Sequence, residues 1–117
     1  MSTHIGRQPG DEEFAAAAAT LKLLADPTRL RILWALLHGE HAVQELAEHV
    51  GARPAAVSQH LAKLRLARLV RTRRHGNQIF YATESAHIER LTSEALFHAD
   101  LVTPDQTSGT RAAGAAG

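Results

Sequence analysis

The chain contains no cysteine. Disulfides, thiolate metal sites and cysteine nucleophiles are excluded together, and a reducing compartment is permitted. No window approaches the roughly 20 apolar residues needed to cross a bilayer. The alanine run from Ala15 to Ala19 follows Asp11, Glu12 and Glu13, charge of the wrong sign for a secretory leader. A Ser/His/Asp set, a phosphate-binding glycine loop and paired carboxylates are also missing, so the sequence points to no enzyme. These absences imply a soluble cytoplasmic domain with no membrane partner. A further absence is more telling. Between Glu48 and Glu84 there is no acidic residue, yet Arg53, Lys63, Arg65, Arg68, Arg71, Arg73 and Arg74 lie there, more than half of the 13 Lys and Arg. A formal net charge of +1 therefore hides one strongly basic face, the electrostatic footprint of a polyanion partner.

At 117 residues the chain makes one domain with a core of modest depth, for which pairing with a second copy buries further surface. Residues 1–10 are polar with Gly and Pro and read as a flexible N-terminus. An Ala-rich helix is expected over Asp11–Leu24, with acids in its first turn. Asp26 then serves as N-cap and Pro27 as first helical residue of a second helix. Its Leu30, Leu33, Trp34 and Leu37, at i, i+3, i+4 and i+7, predict one apolar stripe that closes at His38-Gly39. A short third helix, Ala42–Val50, stops at Gly51. A fourth, Pro54–Leu66, has Val57, Leu61 and Leu64 as its buried stripe. Two short helices joined by a tight glycine turn are a helix-turn-helix. Leu69–Arg74 and Gln78–Thr83 read as strands around His75-Gly76-Asn77. A last helix is expected over Ser85–Leu101. The domain thus covers residues 11–101, and residues 102–117 form a tail with nothing to pack, read as disordered. The fold class is mainly α with a small β-hairpin, ααααββα, a winged helix-turn-helix.

On a wheel of 100° per residue, Leu61 and Leu64 fall within about 40° of Val57. The opposite face of the fourth helix carries Ala55, Gln59, Ala62 and Lys63, flanked by Ser58 and His60. Gln pairs bidentately with adenine and Ser gives or accepts a hydrogen bond. Arg53 and the first N–H groups of this helix suit a phosphate. His60 stands either against DNA or as a half-buried support. The hairpin adds Arg71, Arg73, Arg74 and His75, with Asn77 and Gln78 beyond its tip. Alternation sends Arg71 and Arg73 to the side opposite Val70 and Thr72. The tip of a wing lies along the DNA backbone or enters a minor groove, where arginine is favoured.

Three segments occur in order: Leu24-Ala25-Asp26-Pro27-Thr28-Arg29-Leu30-Arg31-Ile32-Leu33, Val57-Ser58-Gln59-His60-Leu61-Ala62-Lys63-Leu64 and Gly76-Asn77-Gln78-Ile79-Phe80-Tyr81. Together they resemble the ArsR/SmtB family of bacterial metal-sensing repressors over roughly residues 18–101. The resemblance implies a homodimer, joined through its first and last helices, that binds a palindromic double-stranded DNA operator and is usually released by an inducer. The cysteine positions of that family's third-helix site fall on Ala42 and Gln44, so arsenite, lead and cadmium sensing through that site is excluded.

The last helix offers another site. His87 and His98 are eleven residues apart, which returns to within about 20° of one face. Along one helix they stand about 16.5 Å apart, too far to share an ion. Antiparallel pairing with a second copy brings His87 of one chain to His98 of the other, and two-fold symmetry makes two such sites. The family pattern Asp-x-His followed by His-x-x-His reads here as Ser85-Ala86-His87 and His98-Ala99-Asp100-Leu101. Two ligands are replaced. Asp100 and Glu84 are the candidate substitutes, giving a mixed N/O site for a divalent effector such as nickel, cobalt or zinc. The alternative is a degenerate site in a regulator controlled by a partner protein or by abundance. After loss of Met1, a free Ser2-Thr3-His4 terminus can wrap Cu(II) or Ni(II) in a square plane, which makes His4 a further candidate. His38, His41, His49 and His75 show no mutual ligand spacing and read as surface residues.

Overall fold

The computed structural model describes residues 8–102, with side chains described as far as Asp100. Its elements are α1 (Asp11–Leu24), α2 (Pro27–Leu36), α3 (Val43–Val50), α4 (Pro54–Leu66), β1 (Val70–His75), β2 (Gln78–Thr83) and α5 (Ala86–Val102). This is the ααααββα order of a winged helix-turn-helix. The helix starts follow from local chemistry. The Asp26 carboxylate accepts the Arg29 N–H at 2.9 Å, with Pro27 at N1. Gly10 and Ala42 have no side-chain acceptor to offer, so only the returning half of a capping box forms. Glu13 accepts the Gly10 N–H at 2.7 Å and Glu45 the Ala42 N–H at 3.0 Å. α3 ends at Gly51 with φ 68.

α4 ends without a glycine. Arg68 takes the left-handed conformation, φ 62, which costs a side-chain-bearing residue about 1–2 kcal/mol. The Leu69 N–H bonds to Leu64 O at 2.8 Å and the Arg68 N–H to Arg65 O at 2.9 Å, the paired bonds of a Schellman exit. Leu69 is consumed in that exit, so β1 begins at Val70 rather than Leu69. It runs on to His75, which pairs with Gln78. Gly76, φ 64, then takes the first place of a two-residue hairpin turn.

Ile32, Leu33, Leu46, Val57, Leu61 and Leu64 are fully buried, with Leu24, Leu36, Leu69 and Val70 nearly so. α2 is the central strut, packed against α1, α3, α4, α5 and β2. That environment corrects the stripe expected on it. Leu33 is buried, but its companions are Ile32, Ala35 and Leu36, while Leu30 and Leu37 are half-buried and Trp34 is 48% exposed. A helix enclosed on several sides buries a band wider than a single i, i+3, i+4 row, and its Leu30–Trp34 edge looks outward beside Leu96 of α5. Phe14 and Leu21 on α1 and Phe97 on α5 are exposed as well. Among the described residues no helix is long and apolar enough to cross a membrane.

Candidate nucleic-acid interface and metal centre

Burial of Val57, Leu61 and Leu64 against α2 and α3 fixes the roll of α4. Ser58, Gln59, Ala62 and Lys63 are turned to solvent as a consequence. Arg53, the N-cap, makes no side-chain capping bond and Pro54 follows it, so first-turn N–H groups stay open to an outside acceptor. Arg53 and Lys63 have no ion-pair partner among the described residues. His60 is half-buried, and Arg29 Nη1 lies 3.1 Å from its Nδ1. A guanidinium only donates, so Nδ1 accepts and the ring proton sits on Nε2. Arg29 also donates from Nε to Leu23 O at 2.6 Å. Its backbone N–H is the first cause of the lowered pKa of Asp26. His60 therefore braces α4 against the α1–α2 corner, with Nε2 left over for an outside partner. Nothing in the local sequence marks Arg29 as the other half of that brace.

In the wing, Arg71 Nη1 donates to the carbonyl oxygens of Thr83 and Glu84, the latter at 3.2 Å. Arg73 stacks on the ring of its cross-strand partner Phe80 at 5.2 Å. Its guanidinium also grips Glu40, with Nη2 at 2.6 Å and Nε at 3.1 Å. The hydrogen bond from Arg73 is the main cause of the lowered Glu40 pKa, and Glu40 in turn raises that of Arg73. Two of the three wing arginines are thus committed to acceptors within the chain. Arg74, His75 and Gln78 are exposed at the tip, and Arg74 has no ion-pair partner among the described residues. Glu40 is 33 residues from Arg73 in sequence, beyond any local pattern.

On α5, His87 and His98 are exposed and Asp100 is half-buried. Arg90 Nη2 sits 2.7 Å from His87 Nδ1, so Nδ1 is already accepting and an ion there has to displace Arg90. That residue follows His87 by three, a helical neighbour that sequence spacing can reveal. Ser85 accepts the Ile88 N–H at 3.4 Å, acting in helix capping where the family pattern has a carboxylate. Glu84 has an exposed side chain, and its backbone is engaged with Leu69 and Arg71. Thr83 Oγ1 donates to Glu89 at 2.6 Å, tying the end of β2 into α5. Among the described residues no three His or carboxylate groups converge to hold an ion. A single chain does not complete the α5 centre. Two imidazoles and a carboxylate do fit a borderline divalent ion in donor chemistry. The Leu101 side chain and His4 lie outside the described residues.

His41 and His49 are not independent surface residues. Their ring centroids are 4.8 Å apart. An isolated bridge between His41 and Tyr81 sets the segment before α3 against the wing, off the helical wheel on which histidine spacing is judged.

A family model for bacterial regulatory proteins of the arsR family matches residues 26–72. The chain is 47% identical over 104 residues to the HTH-type transcriptional regulator KmtR of Mycobacterium tuberculosis, across 89% of this chain and 80% of that protein. The homodimeric winged helix-turn-helix DNA-binding domain of Mb0332 from Mycobacterium bovis superposes with a TM-score of 0.70 at 31% identity, covering 80% of this chain and 90% of that one. The antimony-specific transcriptional repressor AntR superposes with a TM-score of 0.74, also at 31% identity, covering 86% and 93%. The helix-turn-helix with its polar face exposed, the wing beside it and these relatives agree: the chain belongs to the arsR family of bacterial regulatory proteins and is a DNA-binding transcriptional regulator.

Proposed function

We propose that this regulator acts in the cytoplasm as a homodimer on a palindromic operator, and that a divalent transition metal, nickel, cobalt or zinc, held between the two α5 helices alters its hold on DNA. The observation that carries the reading is His87 and His98 on one face of α5, beside apolar side chains left uncovered on α1 and α5. Phe14 is 63% exposed and Phe97 59%, large apolar groups of the kind that mark an association surface. Antiparallel pairing through that surface supplies from a second copy the donors a single chain lacks. The bound ion contributes a link between subunits that favours one dimer geometry. Two recognition helices read both half-sites only when spaced about one DNA turn, near 34 Å, so a geometry that misplaces them weakens binding.

The test is operator binding by the full chain with and without each metal, alongside direct metal titration. A change in affinity with at least one ion supports the reading. Unchanged affinity, with no ion bound tighter than about micromolar, leaves a regulator controlled by a partner protein or by abundance. The capping role of Ser85 and the apolar Leu101 favour that second reading.

On the DNA side, Ser58 and Gln59 face base edges, Arg53 and Lys63 face phosphates, and the wing tip reaches the flanking DNA with Arg74, His75 and Gln78. Gln59→Ala is expected to cost about 1–3 kcal/mol on the operator and little on random DNA. Equal loss on both, in competition binding, would remove it from base reading. Lys63→Ala and Arg74→Ala are each expected to reduce the slope of log affinity against log salt by about 0.9. Arg73→Ala does less, because Glu40 already offsets its charge, and Glu40→Gln steepens the slope by releasing Arg73. Anisotropy titrations across a salt series distinguish these outcomes.

A further inference from the structure

At the α2–α3 corner lies a cavity of about 490 Å³ lined by Arg31, Trp34, Ala35, His38, His41 and His49. Three of the eight histidines of the chain meet there, from the turn after α2, the segment before α3 and the last turn of α3. Two have a fixed tautomer. His38 Nδ1 is 3.1 Å from the Trp34 carbonyl oxygen, and His41 Nδ1 is 3.3 Å from Glu45 Oε1. A carbonyl and an ionised carboxylate only accept, so each Nδ1 carries the proton and each neutral ring keeps its lone pair on Nε2. Metal-binding histidines are oriented in this manner, one N–H held by a carbonyl or carboxylate while the other nitrogen ligates. The His49 ring stands edge-on to His41 at 61°, so two imidazoles already share one small volume.

We propose that His41 and His49, joined by His38 across the cavity, form a second metal site that takes a divalent transition ion of the zinc or cobalt type, with water completing the coordination. No three donors are gathered about one point among the described residues. The ion seats first on the His41–His49 pair and takes His38 as a third ligand from across the cavity. Arg31 on the rim opposes a cation, and the Glu45 carboxylate behind His41 offsets it. With imidazole as the only protein donor, the site discriminates against soft ions that demand thiolate and against hard ions that demand oxygen. It lies at the corner between α2 and the first helix of the helix-turn-helix, on different elements from the α5 histidines.

The test uses the full chain carrying His4→Gln, His87→Ala and His98→Ala, which removes the other candidate imidazole ligands. Titration with Co(II) and Zn(II) is followed by calorimetry, by Co(II) visible absorption and by the fluorescence of Trp34, the one tryptophan, whose ring lies 5.0 Å from that of His38. One ion per chain is expected, with altered Trp34 emission. Adding His41→Gln and His49→Gln is expected to weaken it at least tenfold while circular dichroism and metal-free DNA binding stay as before. No ion bound by the first variant, or an ion that survives the second, overturns the proposal. Either result leaves the α5 reading to its own operator assay, because His87 and His98 are absent throughout.

Discussion

Leu61→Ala is expected to lower the unfolding free energy by about 2–5 kcal/mol, the range for removing a fully buried leucine and leaving a cavity. Small domains have about 5–15 kcal/mol in total, so the loss is a large share of what holds the fold. Leu61 has no exposed surface and lies between Val57 and Leu64 on the one buried face of α4. Those three side chains set the roll of the recognition helix over α2 and α3. Their loosening therefore reaches Ser58 and Gln59, which point the other way. Denaturant unfolding at fixed chain concentration measures the first effect, since any dimer couples stability to concentration. DNA binding measures the second, and it is expected to fall on operator and random DNA alike. This separates Leu61→Ala from Gln59→Ala, which affects the operator selectively. A stability loss below about 1 kcal/mol would mean that the core collapses around the gap and that α4 is held by more than this face.

The sequence makes some features legible and hides others for physical reasons. Helix starts are written locally: Asp26-Pro27, Pro54 and the acids of the first turn of α1 act on residues within one turn of themselves, and each start lies where those signals place it. The buried face of α4 is legible for a related reason. It packs on one side only, and the 3.6-residue period then suffices. α2 is enclosed on several sides, which widens its buried band and pushes Trp34 to the surface. The start of β1 is hidden by Arg68, which takes a left-handed position that glycine usually announces. At the candidate sites, contacts within one helix could be read and contacts between elements could not. Arg90 on His87 is an i, i+3 pair, whereas Glu40 on Arg73, Arg29 on His60 and His41 beside His49 depend on how the segments fold back. The basic interval from His49 to Thr83 spans α4 and the wing, but it does not separate its free charges from its committed ones.

The double change His87→Ala with His98→Ala is expected to abolish the response of operator affinity to metal while leaving metal-free affinity intact. Couplings between effector and DNA typically amount to 5–150-fold, and the whole of that factor should disappear. The reason is geometric. In the proposed α5 sites each ion takes one imidazole from each end of the helix, so the pair contributes to both sites of a dimer, and no other described imidazole lies on that face. Arg90→Ala provides the opposite sign. Its guanidinium now occupies His87 Nδ1 at 2.7 Å, so an ion that ligates through that nitrogen competes with it. Removing Arg90 is expected to tighten metal binding and lower the metal concentration at which operator affinity changes. Metal-free DNA affinity should move little, since Arg90 stands on α5 and not on α4 or the wing. Nδ1 accepts from Arg90, so the ring proton is on Nε2, and ligation at either nitrogen requires Arg90 to let go. Unchanged metal affinity in Arg90→Ala, with a lost response in the histidine variant, would leave His98 as the essential imidazole. A response that survives the histidine variant would move the effector off α5 altogether. The two variants together therefore decide whether the effector sits on α5 and whether His87 has to give up Arg90 to hold it.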